Sequence, residues 1–407
     1  MQLEIPIDLP TMTSENVTIA TMMSSSLSPS PSSPSSSWLA VTQRDDATLP
    51  GTTKWDKYVD DDFTNTWFFF VTLTLGVAGT LGNTMVIGAV LVHRPLRRLP
   101  NAFIVNLACA DLCISAIIQF ATLDAILKKG EFFKERPALC DIFGLICTTS
   151  CTCSLWSITA ISINRYVCIC HNAEYHRIYS PASKVVAMLV GVWLGCFLLD
   201  LPALLGWGAH SYDPKVMFCT FDYTASFSYT LFLVTVGVGF PILLVSYCYV
   251  RILLFVRASR RTLRRLSQGN AGNFVNMGRG KGGIKTRDLT LLRTVMILWI
   301  VFVIMWAPYT VYVLFDTQNT WNRTVFVVFV NLCHANSSIN CVIYAATNPT
   351  FRRGYAVFIR RLLCLKKPAV AEKRHFNSRN VSQQCPCEIR PCSYTSNILQ
   401  TRVKILN

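Results

Sequence analysis

Long apolar stretches separated by short polar segments make up most of the sequence. Seven of them follow one another, and each reaches the roughly 20 residues that an α-helix needs to cross the hydrocarbon core of a bilayer. The pattern predicts an all-α membrane protein, a seven-transmembrane helix bundle. The predicted spans are Thr66–Val92, Asn101–Leu127, Ala138–Cys170, Ala182–Leu205, Phe227–Phe255, Thr290–Phe315 and Thr324–Thr347.

Composition divides the chain into four parts. Residues 1–65 are polar, with a run rich in Ser and Pro, so they cannot bury enough apolar surface to order themselves, and we expect a disordered N-terminal segment. Residues 66–348 form the seven-span domain. Residues 349–365 alternate apolar and basic residues at helical spacing, which predicts a short amphipathic helix on the membrane surface; the alternative is a solvated charged tail. Residues 366–407 follow as a cytoplasmic tail.

Charge supports membrane residence and predicts an orientation. Charged residues are 15% of the chain, whereas soluble domains carry about 25%. A net charge of +16 would suit a nucleic-acid partner, but the basic residues gather in alternate loops while the segment before the first span is acidic. This is the positive-inside bias, and it predicts a multi-pass plasma-membrane protein with an extracellular N-terminus and no nucleic-acid partner.

Cysteine and sequon positions give further expectations for the two faces of the membrane. Most of the 17 cysteines lie inside spans, where they act as small apolar packing residues. Cys140 and Cys219 are placed to meet on the oxidising outer side, and we expect a disulfide between them. Asn16 begins a glycosylation sequon that could equally be a chance match. Cys364 follows the amphipathic segment and is available for palmitoylation.

Each span carries an isolated residue that a simple membrane anchor would not need. An ionised group in hydrocarbon costs several kcal/mol unless it faces the bundle interior or water, so the charged members predict a bundle that signals or transports. The seven residues, one in each span, are Asn83, Asp111, Arg165, Trp193, Pro241, Pro308 and Asn340.

Arg165 ends the third span at its predicted cytoplasmic side. A guanidinium there can pair with an acid on a neighbouring helix and release it when the helices move apart. Asp288, at the start of the sixth span, is the expected partner, with Tyr249 in register. The alternative is an arginine that reaches out to the membrane interface.

Asp111 lies in the middle of the second span among apolar neighbours. Ser154, Asn336, Ser337 and Asn340 fall at matching depth in the third and seventh spans and offer oxygen ligands for a small cation. A sodium ion is one expectation, and a protonated aspartate in a hydrogen-bond network is the other. We expect no further cofactor.

The complete set of motifs resembles the rhodopsin-like (class A) G-protein-coupled receptors over roughly residues 67–364. Each motif is weak alone, but their order and spacing together are very specific. The matches are Gly82-Asn83, Asn106 to Asp111, Cys140 with Cys219, Asn164-Arg165-Tyr166, Trp193, Pro241 with Tyr249, Trp306-Ala307-Pro308 and Asn340 to Tyr344.

This resemblance implies an extracellular ligand, a heterotrimeric G protein inside, and arrestin and a receptor kinase as further partners. It implies a G-protein switch formed by Asn164, Arg165, Tyr166, Asp288, Tyr249, Asn340 and Tyr344. Two departures from the family pattern occur. Asn164 replaces an acidic residue, which removes one restraint on the arginine and permits basal activity, and Cys341 replaces a proline, so the seventh helix should bend less.

Within that class the chain is most similar to the melatonin receptors, in the inner loop from Ile163 to Ser180 and in the outer loop around Cys219. The similarity implies an inhibitory (Gi/o) G protein. The residues by which those receptors hold melatonin are mostly absent, because Ala203, Tyr223 and Gly237 stand where they carry asparagine, glutamine and histidine. Phe221, which would stack on an indole, remains, and melatonin is not the expected ligand.

The residues in the outer third of the spans are mostly uncharged and many are aromatic. They predict a cavity for a small amphipathic ligand or lipid. Cys147 stands where amine receptors carry an aspartate, and His334 stands where opsins carry the lysine that binds retinal. We therefore expect neither binding of a primary amine by that carboxylate nor a retinal Schiff base. Asp200 could supply a counter-ion or face a polar neighbour, and a peptide at the charged rim is a further alternative. The predicted lining is Cys147, Thr148, Cys151, Phe221, Trp306, Tyr309 and His334.

Two other classes of protein fit less well. A seven-helix transporter or channel would tend to show internal repeats, and none is evident. An enzyme would need a nucleophile with a base or a metal triad at depth, and His334 with scattered cysteines offers no helical metal spacing. The expected function is therefore that of a receptor and not of an enzyme.

Overall fold

The computed structural model describes Tyr58, residues 60–269 and residues 286–365, with the side chains of 262–269 and 286–291 outside that description. Seven helices in it are long and apolar enough to cross a membrane, as predicted. They are α1 (Asp62–Val92), α2 (Leu99–Leu127), α3 (Ala138–Cys170), α4 (Ala182–Leu204), α5 (Phe227–Arg261), α6 (Leu292–Phe315) and α7 (Arg323–Thr347).

The observed ends of the spans depart from the predicted ends mainly in α5. Its helix continues past the predicted end at Phe255 and runs on to Gly269 as a basic extension. Apolar content decides a predicted span, but a helix that leaves the bilayer can continue in water, because extending an existing helix avoids the cost of nucleation. The helix of α6 likewise begins before the apolar stretch, at Thr286.

A β-hairpin lies between α4 and α5 and closes one end of the bundle. Strand β1 (His210–Asp213) pairs antiparallel with strand β2 (Phe218–Phe221), with Tyr212 opposite Cys219. The predicted disulfide is present, since Cys219 is bonded to Cys140 at the start of α3. We call this the hairpin end of the bundle and the opposite one the Arg165 end.

The eighth helix, α8 (Pro349–Leu362), begins directly after α7. The Asn348 side chain caps it by accepting from the Thr350 amide at 3.0 Å. Phe351 is buried and stacks on Tyr344 with ring centroids 4.9 Å apart. Gly354 lies so close to α1 that a Cβ there would come within 3.0 Å of the Ala89 Cβ. The amphipathic segment is thus a packed helix, and the solvated tail does not describe it.

Two π-helical turns interrupt the spans. One covers Leu233–Gly239 just before Pro241, whose missing amide removes a hydrogen bond to the preceding turn. The other covers Cys113–Ile118 in α2, where no proline lies within the turn. The extra residue in such a turn changes which side chains face the interior, here on both sides of the cavity described below.

Apolar side chains cover the outside of the bundle at membrane depth. On α4 the residues Val186, Val190, Leu194 and Leu198 recur every four positions and are each more than half exposed. A patch of this kind would be unfavourable in water and is what lipid tails require. The polar residues of the spans face inward, so that Asn83, Asp111, Arg165 and Asn340 are all buried.

Candidate functional site

A cavity with a volume of about 90 Å³ lies between the spans beneath the hairpin. The seven side chains predicted to line it all do so. Its lining also includes residues from the hairpin itself, among them Val216 and Phe218. Further contributors are Phe68, Gln119, Thr122, Thr152, Thr220, Leu233, Val234, Val238, Thr310, Val313, Phe326, Val330 and Cys333.

The cavity wall is aromatic and carries no formal charge from fixed side chains. Among the described lining residues there is no Asp, Glu, Lys or Arg. Trp306 stacks on Phe302 with centroids 5.3 Å apart and meets Tyr309 edge-on at 6.1 Å, so it forms a packed aromatic column in α6. A cavity of this kind suits a small neutral molecule with an aromatic part and a few polar groups.

Ionic contacts hold the hairpin in place over the cavity. Lys215, in the turn of the hairpin, is only 1% exposed and donates to the Tyr312 hydroxyl at 2.7 Å and to the Trp321 carbonyl at 2.9 Å. Its ammonium lies 3.6 Å from the carboxylate of Asp316. Burial alone would raise the pKa of Asp316, but the backbone amides of Thr320 and Trp321 and the lysine outweigh it and lower that pKa.

Asp200 does not supply a counter-ion to the cavity. Its buried carboxylate lies 3.2 Å from His210 Nε2 and accepts from the hydroxyls of Thr149 at 3.3 Å and Tyr229 at 3.3 Å. The polar-neighbour alternative for Asp200 therefore describes the structure. The carboxylate ties α4 to β1 and α5.

The charged rim is also engaged within the protein. Asp124 pairs with Lys128 at 2.7 Å, and Asp222 accepts from Ser211 at 2.8 Å and from Thr224 at 2.7 Å. The peptide alternative stays a prediction, since the Asp124–Lys128 pair is exposed.

The three positions at which the melatonin receptors carry polar residues lie outside the cavity lining. Tyr223 donates to Asn319 at 2.8 Å, away from the cavity. Ala203 is buried, and a Cβ at Gly237 would lie 3.3 Å from Thr152. These three positions therefore contribute nothing to the cavity wall.

The sequence showed no helical metal spacing for His334 with the scattered cysteines, but the structure brings three of these residues together. Cys147 Sγ, Cys151 Sγ and a ring nitrogen of His334 all lie within 4.8 Å of one another. Cys147 and Cys151 are four residues apart on α3 and so share a face of the helix, and α7 brings His334 opposite them. Spacing along the chain could reveal the pair but not the third residue.

Asp111 lies at the centre of the bundle with its carboxylate fully buried. It accepts from Ser154 Oγ at 2.8 Å and from Asn340 Nδ2 at 2.7 Å. Asn83 donates to the Ser337 carbonyl at 2.9 Å, which fixes α1 against α7 at the same level. The side-chain oxygen of Asn336 is buried, with no hydrogen-bond partner among the described residues.

At the opposite end Arg165 is inside the bundle, with 3% of its surface exposed. Its guanidinium donates to Asn164 Oδ1 at 2.7 Å, so the neutral residue still holds it. Tyr166 contacts His171 at 2.9 Å, and Tyr249 and Tyr344 are buried nearby. The Asp288 side chain lies outside the described residues, and its pairing with Arg165 stays a prediction.

The remaining predicted sites fall at or beyond the edges of the described chain. Cys364 is exposed just after α8. Asn16 lies outside the described residues, as does the tail 366–407.

One contact that sequence reasoning missed joins the first and last spans. Arg323, at the start of α7, donates to Asp61 at 2.7 Å and to Asn65 at 2.6 Å. Asp61 also caps α1 by accepting from the Thr64 amide at 3.1 Å. An aspartate just before an apolar stretch is a recognisable N-cap, but nothing in the sequence indicates its partner 262 residues away.

Comparison with known proteins agrees with this architecture. The family model described as "7 transmembrane receptor (rhodopsin family)" matches residues 82–344. Melatonin receptor type 1B-B of Danio rerio is 33% identical over 288 residues, covering 69% of this chain and 77% of its own length. Melatonin receptor type 1B of Homo sapiens is 33% identical over 294 residues, covering 71% and 76%.

Among solved structures, squid rhodopsin superposes with a TM-score of 0.64 over 80% of this chain and 94% of its own, at 22% identity. That likeness concerns the fold alone, whereas the family match and the relatives extend to the sequence. The chain belongs to the rhodopsin family of seven-transmembrane G-protein-coupled receptors and is related to the melatonin receptors.

Proposed function

We propose that this receptor binds a small, uncharged, amphipathic molecule in the cavity beneath the hairpin and activates a heterotrimeric G protein of the Gi/o class. The observation that carries the proposal is the cavity wall, which combines an aromatic column with neutral polar groups. An amine with a fixed positive charge would find no carboxylate among the described lining residues, and its desolvation would be uncompensated. The family match gives no support to a transporter or channel.

Melatonin is a candidate because the relatives are melatonin receptors, but we propose that it binds weakly here. Phe221 lines the cavity and offers a face for an indole ring. Removing the hydrogen-bond partners of a buried polar ligand lowers discrimination by several kcal/mol. A related molecule with fewer polar groups fits the wall better.

We further propose that the hairpin end faces the cell exterior. The disulfide lies at that end, and disulfides persist in oxidising surroundings. Asn16 would then be available for glycosylation, while Cys364 would face the inner leaflet for palmitoylation. The tail 366–407 would be the site at which a receptor kinase and arrestin act.

The signal would pass from the cavity to the Arg165 end through α6. Trp306 lines the cavity, and Pro308 lies two residues away within α6, where its missing amide weakens the helix against bending. A ligand that packs on Trp306 would favour a bent α6 and open the end where Arg165 lies. Asp111 would bind a sodium ion in the resting arrangement, since carboxylate, hydroxyl and amide oxygens are the ligands that such a hard cation prefers.

A G-protein activation panel on intact cells tests this proposal. The full chain and Arg165→Ala are compared across G-protein classes, with melatonin and a set of neutral amphipathic aromatic molecules as ligands. We expect Gi/o activation by the full chain, a weak melatonin response, and loss of activation in Arg165→Ala at equal surface expression.

Arg136→Ala is the matched control, because this arginine lies just before α3 at the opposite end of the same helix, and its pair with Glu135 is exposed. It should signal normally. Equal signalling by the full chain and Arg165→Ala would contradict the switch role of Arg165, and activation by charged amines alone would contradict the ligand class.

A further inference from the structure

Two cysteines and a histidine meet inside the cavity. Cys147 and Cys151 are both free thiols, and both line the cavity together with His334. Their sulfur atoms and the imidazole nitrogen lie within 4.8 Å of one another. Most other cysteines of the spans pack among apolar side chains, so this group differs in having three metal-binding atoms directed at one space.

From this geometry we propose that Cys147, Cys151 and His334 bind one Zn²⁺ ion inside the cavity. In a tetrahedral site with Zn–S bonds of about 2.3 Å, two sulfur ligands lie about 3.8 Å apart. The observed spread of up to 4.8 Å therefore needs only small rotations of side chains to reach bonding distance. Thiolate and imidazole ligands favour zinc over the hard cations that carboxylates bind.

The charge of the cavity fits this ion. Each thiol loses its proton to solvent as its sulfur bonds to the metal, and the histidine binds as neutral imidazole. Two thiolates and one Zn²⁺ have no net charge. The site would therefore leave the cavity neutral, in keeping with a wall that has no Asp, Glu, Lys or Arg among the described lining residues.

Three protein ligands leave a fourth position of the tetrahedron open, as in catalytic zinc sites. That position would face the cavity, where a water molecule or a donor atom of a bound molecule could take it. This last step rests on the proposed function: the ion would link a ligand carrying a nitrogen, oxygen or sulfur donor to α3 and α7 together. The metal site itself does not depend on it.

Direct binding tests the site without reference to signalling. The full-length receptor is purified in lipid nanodiscs under reducing conditions, stripped with a chelator, and titrated with Zn²⁺ against a chromophoric competitor and separately with Co²⁺. We expect one high-affinity Zn²⁺ per receptor. For Co²⁺ we expect a sulfur-to-metal charge-transfer band with the visible bands of four-coordinate cobalt.

Single substitutions identify the ligands. Cys147→Ala, Cys151→Ala and His334→Ala should each weaken Zn²⁺ binding by at least about tenfold, since even the loss of an outer hydrogen-bond partner costs 10- to 100-fold. Cys248→Ala is the matched control: Cys248 is also a buried free thiol of a span, but it lies outside the cavity lining. It should bind Zn²⁺ as the wild type does, and thermal melting verifies that each variant is folded.

Several results would overturn the proposal. These are absence of Zn²⁺ binding by the folded wild type, a Co²⁺ spectrum without sulfur charge transfer, and unchanged affinity in the three ligand variants. In the cell assay, Zn²⁺ should shift the ligand response of the wild type but not of His334→Ala. If nanodisc binding succeeds while no ligand activates a G protein, the zinc site stands and the proposed function fails.

Discussion

The two ends of the bundle are held together by different kinds of contact. At the hairpin end, ion pairs join elements far apart in sequence, with Lys215 beside Asp316, both buried, and Arg323 on the partly exposed Asp61. The disulfide adds a covalent link there. At the Arg165 end, Arg165 donates to the neutral side chain of Asn164, and the side chain of its predicted acidic partner, Asp288, lies outside the described residues.

This difference indicates which end can move. Removing one partner of a buried ion pair costs about 3–5 kcal/mol, because the remaining charge is left uncompensated. A hydrogen bond to a charged group contributes about 1.5–3 kcal/mol, and much of it is regained when water or another partner replaces the acceptor. We therefore expect the hairpin end to be the more rigid of the two and the proposed rearrangement to occur at the Arg165 end.

The largest expected effect comes from breaking a buried pair at the hairpin end. Asp316→Ala leaves the ammonium of Lys215 buried beside Tyr312, without its carboxylate. We expect a loss of about 3–5 kcal/mol in stability, a lower thermal midpoint and little surface expression. Thermal melting in nanodiscs and flow cytometry measure both.

Asp124→Ala is the control for that change, because its pair with Lys128 is exposed, with the two side chains 40% and 60% accessible. An exposed pair contributes about 0–1 kcal/mol, so the variant should melt close to the wild type. If both variants melted alike, the hairpin end would not be held by its buried charges.

The next effect is smaller and concerns the Arg165 end. Asn164→Asp replaces the neutral acceptor of Arg165, now at 2.7 Å, by a carboxylate. The stronger restraint should lower basal G-protein activation by roughly tenfold, which corresponds to about 1.4 kcal/mol. Basal nucleotide exchange at equal receptor density measures it.

Ser183→Asp is the matched control, since it adds a negative charge at the same end of the bundle on an exposed position of α4. Its basal activity should stay near that of the wild type. A basal activity of Asn164→Asp at or above the wild-type level would mean that Arg165 is not restrained at this position.

The spans and the hairpin end also differ in how much of their structure the sequence could predict. The seven spans follow from apolar length, and the buried Asp111, Arg165 and Asn340 follow from the cost of charge and polarity in lipid. The ion pairs of the hairpin end could not be predicted, because Lys215 and Asp316 are 101 positions apart and the hairpin has no pattern that aims it at α6. Only the folded chain brings such partners together.

The cavity is an intermediate case. Its lining was predicted from positions along each span, yet the meeting of Cys147 and Cys151 with His334 depends on how α3 and α7 are rotated about their axes. A similar uncertainty applies to α2. Its π-helical turn Cys113–Ile118 changes the direction in which the following side chains point, and no residue within the turn predicts it. Composition predicts that a helix forms, whereas the rotation of each helix about its axis depends on how its side chains pack against neighbouring helices.

A third test addresses the centre of the bundle, between the two ends. Asp111→Asn removes the carboxylate that Ser154 and Asn340 contact but keeps a similar shape. If sodium stabilises the resting arrangement, replacing Na⁺ by choline should raise agonist affinity in the wild type by about fivefold or more and leave the variant unchanged. Radioligand competition in the two salts measures this.

Ser115→Ala is the control, because its hydroxyl donates to the Asp111 backbone carbonyl at 2.8 Å and not to the carboxylate. It should keep the sodium response. A wild type without any sodium response would favour the alternative, in which the aspartate is protonated within its hydrogen-bond network.

The smallest expected effect is that of pH on the thermal midpoint, which should not change near neutral pH. Asp61 and Asp316 both have a pKa lowered in the folded protein, despite burial that raises it, by hydrogen bonds and by their cationic partners. A carboxyl whose folded pKa is depressed contributes its full stability above the unfolded pKa of 3.8 and loses it as pH falls through the folded value. The hairpin end should therefore melt at the same temperature between about pH 5 and 8 and weaken only in more acidic solution.

Asp316→Asn isolates that contribution, because the amide keeps the shape of the side chain and cannot titrate. Below about pH 4 the wild-type midpoint should fall toward that of the variant, since protonation removes from the wild type the same charge that the substitution removes. A midpoint difference that stayed constant into acid would mean that the carboxylate does not stabilise the folded state through its charge. The hairpin end would then owe its rigidity to the disulfide and to the packing around Tyr312.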